Sequence, residues 1–257
     1  MVFDSHIHTK FSTDSNMDIL EAIAVSKEKN IGIIITEHLD LDYPEEAEFR
    51  FDIAKYFNDY EKYRNDKVKL GIEIGLTKNT LKENEEIASK YDFDYVLGSI
   101  HAVRGLDIYL DYINLGYNKR EFFTYYLEEM LTCVNLYNNF DSLAHIDYPC
   151  RYCNYDNKEI LVSEFKDILA EIFKSLINKG KVLELNTNRL QNKDAKEALI
   201  DIYKLYRDLG GKYITLGSDS HNYKGIYRNF HIGLELMEHL KLKGIYFNKR
   251  KLEYIVM

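Results

Sequence analysis

Cysteine is scarce in this chain, with only Cys133, Cys150 and Cys153. An odd, small number of thiols excludes a disulfide scaffold and points to a reducing, cytoplasmic compartment. Cys150 and Cys153 form a single C-x-x-C. No second pair accompanies it, and its neighbours do not read as a redox strand-to-helix turn, so it makes a weak redox or zinc motif. No apolar run reaches the roughly 18 residues that a membrane span needs. The N-terminus lacks a basic segment followed by an apolar one, so no signal peptide is expected. Long runs of Lys and Arg are also missing, and the net charge is −8. That balance disfavours an anionic membrane or long nucleic acid as partner, while leaving room for a local positive pocket. There is no linker rich in Gly, Pro or Ser, no low-complexity segment and no clear repeat. The two prolines, Pro44 and Pro149, both fall in expected loops.

What is present is a large apolar fraction, 46% of 257 residues, enough for a sizeable core. The length suits one large domain, and we take 1–257 as a single unit. Apolar β-rich runs alternate with amphipathic helical stretches. Strands are expected at Val2–His8, Gly32–His38, Val68–Ile74, Tyr95–His101, Ser142–Asp147, Val182–Asn188 and Tyr213–His221. Helices are expected from Asp18 to Asn30, Ile53 to Tyr63, Thr80 to Lys90, Lys119 to Asn138, Glu159 to Asn178, Asp194 to Leu209 and Gly233 to Leu242. The tail Tyr246–Met257 adds a short strand or packs outside. The aromatic helix Lys119–Asn138 reads as core. Seven strand–helix units in this order argue for parallel strands and a closed or nearly closed α/β barrel.

The N-terminal run Phe3-Asp4-Ser5-His6-Ile7-His8 sets two imidazoles two residues apart. On a strand, such residues share a face and can converge on one ion. A strand with two polar residues facing solvent has the same pattern, so further ligands decide between the two. The chain supplies them. His6, His8, His38, Glu73, His101, His145, Asp219 and His221 all lie at or just past the end of an expected strand. In a parallel barrel those ends share the face where active sites lie. His231 and His239 fall outside this set and read as surface or packing residues. Imidazoles with carboxylates suit zinc, iron or manganese. Asp14 sits in the first loop, where it can fold back over the site or remain solvated. Glu37 points away from His38 and is expected to support or pack.

Taken in order, His6-x-His8, Glu37-His38, Glu73, Ser99-Ile100-His101, Ala144-His145-Ile146-Asp147 and Gly217-Ser218-Asp219-Ser220-His221 resemble the motifs of the PHP (polymerase and histidinol phosphatase) superfamily. Length and single-domain form resemble its monofunctional histidinol-phosphate phosphatases. The resemblance implies a distorted (β/α)7 barrel, similar to a TIM barrel, and three divalent ions. By motif, His6, His8, Glu73 and Asp219 would hold the first. Glu73, His101 and His145 would hold the second. Asp14, His38 and His221 would hold the third. Many members have histidine where this chain has Asp14, a change that keeps a ligand but retunes the third site.

Such a cluster favours phosphoester hydrolysis, with a hydroxide held between the first two ions attacking phosphorus in line. Glu73 and Asp219 would take part through those ions. Arg151 is the first choice for the cation that offsets phosphoryl charge, with Arg104, Arg189 and Arg228 as alternates. The leaving group would be protonated by a metal-bound water or by a rim Asp or His. Asp107, Asp111, Tyr109 and Tyr148 are candidates to face the amine and imidazole of histidinol phosphate. The substrate is thus expected to be histidinol phosphate, hydrolysed in histidine biosynthesis. Another phosphomonoester, a nucleotide or a nucleic-acid end is the alternative, and a metal-binding module without activity is a third.

Overall fold

The computed structural model describes residues 1–45 and 47–256. Glu46, in the expected loop after His38, and Met257, at the end of the expected tail, lie outside them. The strands are β1 (Phe3–Ile7), β2 (Gly32–Leu39), β3 (Val68–Gly75), β4 (Tyr95–Ser99), β5 (Ala102–Val103), β6 (Leu106–Asp107), β7 (Ser142–Leu143), β8 (Val182–Asn186), β9 (Tyr213–Gly217), β10 (Lys243–Asn248) and β11 (Lys251–Tyr254). The helices are α1 (Ile19–Lys29), α2 (Ile53–Tyr60), α3 (Leu81–Lys90), α4 (Lys119–Leu136), α5 (Val162–Asn178), α6 (Lys193–Asp208) and α7 (Phe230–His239). No helix among the described residues is long and apolar enough to cross a membrane.

The sheet order is β1-β2-β3-β4-β7-β8-β9-β10-β11, and every pairing from β1 to β10 is parallel. The ring closes between β1 and the segment after β9. His8 N–H donates to Ser220 O at 2.9 Å and Asp219 N–H donates to His6 O at 2.8 Å. Asp4 fastens the same seam by accepting from Ser218 N and Oγ at 2.8 and 2.6 Å. The expected seven-stranded α/β barrel is therefore present.

Strand parity decides what enters the barrel. On β2, Ile33 and Ile35 pack outward in the main core, while Ile34 belongs to a second, inner cluster. That inner cluster also holds Phe3, Tyr95, Leu97, Ala144 and Val182, so the lower barrel is apolar. Farther along the same inward parity come Thr36 and His38 on β2, and Glu73 on β3. On β1, a register shift between Asp4 and Ile7 turns both Phe3 and His6 inward.

The tail does more than add a strand. β10 pairs with the start of β9 through Lys243↔Tyr213 and Gly244↔Ile214, and β11 folds back antiparallel. The Tyr246 ring stacks on Phe3 at 3.8 Å and Phe247 stacks on Tyr95 at 5.4 Å. The hairpin therefore plugs the barrel at the end opposite the histidines.

Several expected bounds differ. β7 is two residues long rather than six, because the His145 N–H is taken by the Glu184 carboxylate and Tyr148 N–H already turns back to His145 O. β9 stops at Gly217, since Asp219 adopts a left-handed φ of 53°. α5 begins at Val162 and leaves Glu159 free to pair with Arg189. α7 begins earlier than expected, at Phe230. The long loop after β4 contains the β5–β6 hairpin, which has too few apolar residues to announce itself. Asp18 caps α1 as expected, in a reciprocal box with Glu21.

Phe247 is 6% exposed. Phe247→Ala is expected to lower the unfolding free energy by about 3–5 kcal/mol, measured by urea denaturation. A loss below about 1 kcal/mol would show that the hairpin is not part of the core.

Candidate active site

The barrel mouth gathers every metal-type residue expected from the sequence. His6 and His8 do converge, with their Nε2 atoms 3.0 Å apart. Glu73 Oε2 lies 3.2 Å from His6 Nε2 and 3.4 Å from His8 Nε2. Asp219 Oδ1 lies 3.5 Å from each of them. Four ligands about 2.1 Å from one ion in tetrahedral array stand about 3.4 Å apart. These five separations have that spacing. The left-handed backbone at Asp219, rather than a strand face, brings its carboxylate in.

The other oxygen of Glu73 faces a second group. Its Oε1 is 2.9 Å from His145 Nε2 and 3.4 Å from His101 Nε2. A third group stands at the rim. Asp14 Oδ2 is 3.0 Å from His221 Nε2 and 3.7 Å from His38 Nε2, and the two imidazole nitrogens are 3.4 Å apart. His38 Nδ1 also reaches Glu73 Oε2 at 3.0 Å. Groups drawn from these residues have the arrangement needed to hold metal ions. Glu73 Oε2 and His101 Nε2 are buried, and none of their close contacts among the described residues is aligned as a hydrogen bond. Such orphaned atoms are costly unless a ligand completes them.

The electrostatics agree. Burial works against charge on His6, yet Glu73, Glu184 and Asp219 outweigh it and hold the imidazole well above its usual pKa. Burial would raise Glu73, but His6, His38 and His101 pull it well below the usual carboxylate range. Asp219 is likewise held down against burial by Arg151 and His6. His8 moves the other way, because burial and then His38 and His221 disfavour its charged form. The carboxylates thus demand positive charge, and a cation answers that demand as protons do.

A layer of supporting carboxylates surrounds the cluster, as metal-type imidazoles require. Asp40 Oδ1 accepts from His101 Nδ1 at 2.8 Å and Glu184 Oε1 from His6 Nδ1 at 2.7 Å. Both were missed in the sequence. Glu184 interrupts the apolar run Val182-Leu183-Glu184-Leu185, and Asp40 follows His38 at the same i, i+2 spacing as His6 and His8; those were the available signals. Glu37 supports, as expected. It accepts from Thr9 N at 3.0 Å and Ser12 Oγ at 2.6 Å. Ser12 Oγ also lies 3.0 Å from His8 Nδ1 and accepts from His38 N at 3.0 Å.

Above the cluster lies a cavity of about 380 Å³ lined by Asp14, His38, Asp40, His101, His145, Arg151, Asp219 and His221. Tyr43, Phe49, Asp107, Tyr109, Tyr148 and Tyr152 complete its lining. Arg151 Nη1 donates to Asp219 Oδ2 at 2.5 Å, while its Nε and Nη2 have no partner among the described residues. Asp111 is exposed and outside this lining, because the turn after β6 aims it at solvent. Arg104 is stacked on Tyr125 at 3.6 Å, away from the cavity. Arg189 is held by Asp147 at 2.6 Å and by Glu159. Arg228, His231 and His239 are exposed. The cysteines are buried free thiols, and burial pushes Cys150 well above its usual pKa, so the C-x-x-C is inert packing.

The profile of the PHP domain family matches residues 4–188. The chain is 49% identical over 254 residues to a protein of Clostridium acetobutylicum named probable histidinol-phosphatase, covering 99% of this chain and 100% of that one. It is 32% identical to the histidinol-phosphatase of Lactococcus lactis, over 89% of this chain and 87% of that one. The crystal structure of histidinol phosphate phosphatase from Lactococcus lactis, complexed with zinc, L-histidinol and phosphate, superposes with a TM-score of 0.92 at 29% identity, over 98% of each chain.

Ser12→Ala would leave His8 Nδ1 and the His38 N–H without their partner and remove one of the bonds to Glu37. The expected loss of unfolding free energy is about 1–3 kcal/mol, read from the urea midpoint. An unchanged midpoint would show that Ser12 does not tie the first loop to the site.

Proposed function

The chain belongs to the PHP domain family, and we propose that it is a metal-dependent phosphomonoesterase that hydrolyses L-histidinol phosphate to L-histidinol and phosphate, a step of histidine biosynthesis. One observation carries the reading. The nitrogen and oxygen atoms at the barrel mouth have the mutual spacing of a metal's ligands, and an arginine with two unpartnered nitrogens lines the cavity beside them. The relatives named above support the choice of substrate.

We take the ions to be three, and zinc, iron and manganese all suit such donors. His6, His8, Glu73 and Asp219 would hold the first. Glu73, His101 and His145 would hold the second. Asp14, His38 and His221 would hold the third. Divalent ions supply Lewis acidity toward phosphoryl oxygens and lower the pKa of water. The chain's own residues do the rest. Glu73 and Asp219 fix the positions of positive charge in the cluster. Arg151 presents Nε and Nη2 to the phosphoryl oxygens, two parallel donors matched to two acceptors. Its bond to Asp219 holds the guanidinium plane in place. Asp107 and the rings of Tyr109 and Tyr148 also line the cavity and would face the amine and imidazole of the alcohol. Tyr148 stacks near His101 and His145, with ring centroids 4.8 and 4.9 Å apart, and so shields that side from water. The three free, buried thiols fit a cytoplasmic enzyme.

The test is phosphate release from histidinol phosphate against a panel of phosphomonoesters and dinucleotides. We expect kcat/KM for histidinol phosphate to exceed the others by roughly a hundredfold or more. Chelation and His101→Ala should each abolish most activity, and zinc should restore the chelated enzyme. Arg151→Ala should lower kcat/KM by about 10²–10³. Absence of preference for histidinol phosphate sinks the substrate, and metal-independent activity sinks the mechanism.

A further inference from the structure

We infer that Glu184 is a positioning residue that sets the spacing of the two histidines flanking Glu73 and the tautomer of His6. The inference rests on the ion placement proposed above. Glu184 lies in the middle of β8, inward-facing and fully buried. Its Oε1 accepts from His6 Nδ1 at 2.7 Å. Its Oε2 accepts from His145 N–H at 2.8 Å and from Asn186 Nδ2 at 3.3 Å. His6 comes from β1 and His145 from the end of β7. Glu73 lies between them, with Oε2 3.2 Å from His6 Nε2 and Oε1 2.9 Å from His145 Nε2. One carboxylate thus holds both sides of the shared ligand.

Tautomer follows from the same contact. An acceptor at Nδ1 keeps the proton there and leaves the Nε2 lone pair free to face a cation. The backbone bond does a second job. By taking the His145 N–H, Glu184 ends the β7 ladder one residue past Ala144 and turns the imidazole into the mouth.

The neighbouring strand is shaped to admit this group. A Cβ on Gly217 would stand 2.2 Å from Glu184 Oε1 and 2.5 Å from His6 Cβ. Gly217 pairs in register with Asn186, so the missing side chain is the space that the carboxylate occupies. A buried acid with no such task would only weaken an otherwise apolar strand.

Zinc-loaded wild type and Glu184→Gln are compared by chelator competition and by ions bound per chain. Urea unfolding of the zinc-free forms is recorded alongside. The amide has the shape of the acid but cannot accept from both His6 Nδ1–H and His145 N–H. The variant is expected to lose one ion per chain at a chelator concentration that the wild type withstands, with about 10- to 100-fold weaker affinity for that ion. Its zinc-free form should unfold at a somewhat lower urea concentration, because one buried donor loses its acceptor. Gly217→Ala, which crowds the carboxylate from β9, should give the same loss. Equal zinc retention in Glu184→Gln and wild type overturns the inference. So does a drop in zinc-free stability with unchanged zinc affinity, which makes Glu184 a fold residue only. A wild type that binds no zinc overturns the ion placement itself, and the control reads this separately.

Discussion

One buried carboxylate, Glu73, governs how this barrel must be built. It is fully buried on β3 and stands within 3.4 Å of imidazole nitrogens from His6, His8, His38, His101 and His145. A lone buried carboxylate is among the most unfavourable groups a protein can contain. It persists because several imidazoles supply donors or admit cations, and no single strand or helix could bring them together. Five histidines from four separate strand ends reach one carboxylate only if parallel strands end on one face of a closed sheet. Fold and site are therefore one requirement. If the seam between β1 and the end of β9 opened, His6 and Asp219 would separate, because Asp219 N–H bonds directly to His6 O.

The polar interior is arranged in tiers. Apolar side chains and the β10–β11 plug fill the lower barrel. A layer of hydroxyls follows, with Tyr95, Thr215 and Ser142 hydrogen-bonded to one another at 3.1 Å. Glu184 and Asp40 then back the histidines, which in turn face the cavity. Each tier satisfies the one above it. Ser99 Oγ donates to Glu73 Oε1 at 2.5 Å from the adjacent strand, so even the central carboxylate has a neutral donor besides its imidazoles. A buried polar network is stable only when its members are paired, and most of the atoms left unpaired among the described residues belong to the site, among them Glu73 Oε2, His101 Nε2 and two nitrogens of Arg151.

This tiering explains what the sequence showed and what it concealed. Strand-end histidines are legible because their type is rare and their spacing is periodic. His6 and His8, and Asp219 and His221, can be found by eye. The parity rule also identified Glu37 as facing away from His38. Glu184 and Asp40 were hidden for a physical reason. Nothing local marks a carboxylate as the partner of an imidazole 178 residues away in sequence, because only ring closure makes them neighbours. Helix bounds failed where long-range contacts competed with local preference. Glu159 has good helical propensity, yet Arg189 draws it out of α5. The short β7 failed for the same reason, since a side-chain carboxylate took the N–H that a ladder would have used. Arg189 shows the limit of reading cations from loops: three carboxylate contacts, one to Asp147 and two to Glu159, already engage its guanidinium. Arg151 differs only in having donors to spare.

The charge distribution of the cavity then sets an orientation. Its lining carries both signs. Among the described residues Arg151 is the one Arg or Lys in it, and Asp14, Asp40, Asp107 and Asp219 are its carboxylates. An anion is drawn to Arg151 and repelled by Asp107. A cationic, partly aromatic group is drawn to Asp107, where the rings of Tyr43 and Tyr109 in the same lining also favour it. A molecule with phosphate at one end and a protonated amine beside an imidazole at the other fits in one direction only. Reversed, it would set its ammonium against Arg151 and its phosphate against Asp107. Both contacts are like-charge and partly desolvated, and such contacts discriminate by several kcal/mol. Much of the selectivity then comes from the arrangement that cannot form. A plain phosphomonoester with no cationic end could approach Arg151 equally well, but nothing on it would engage Asp107.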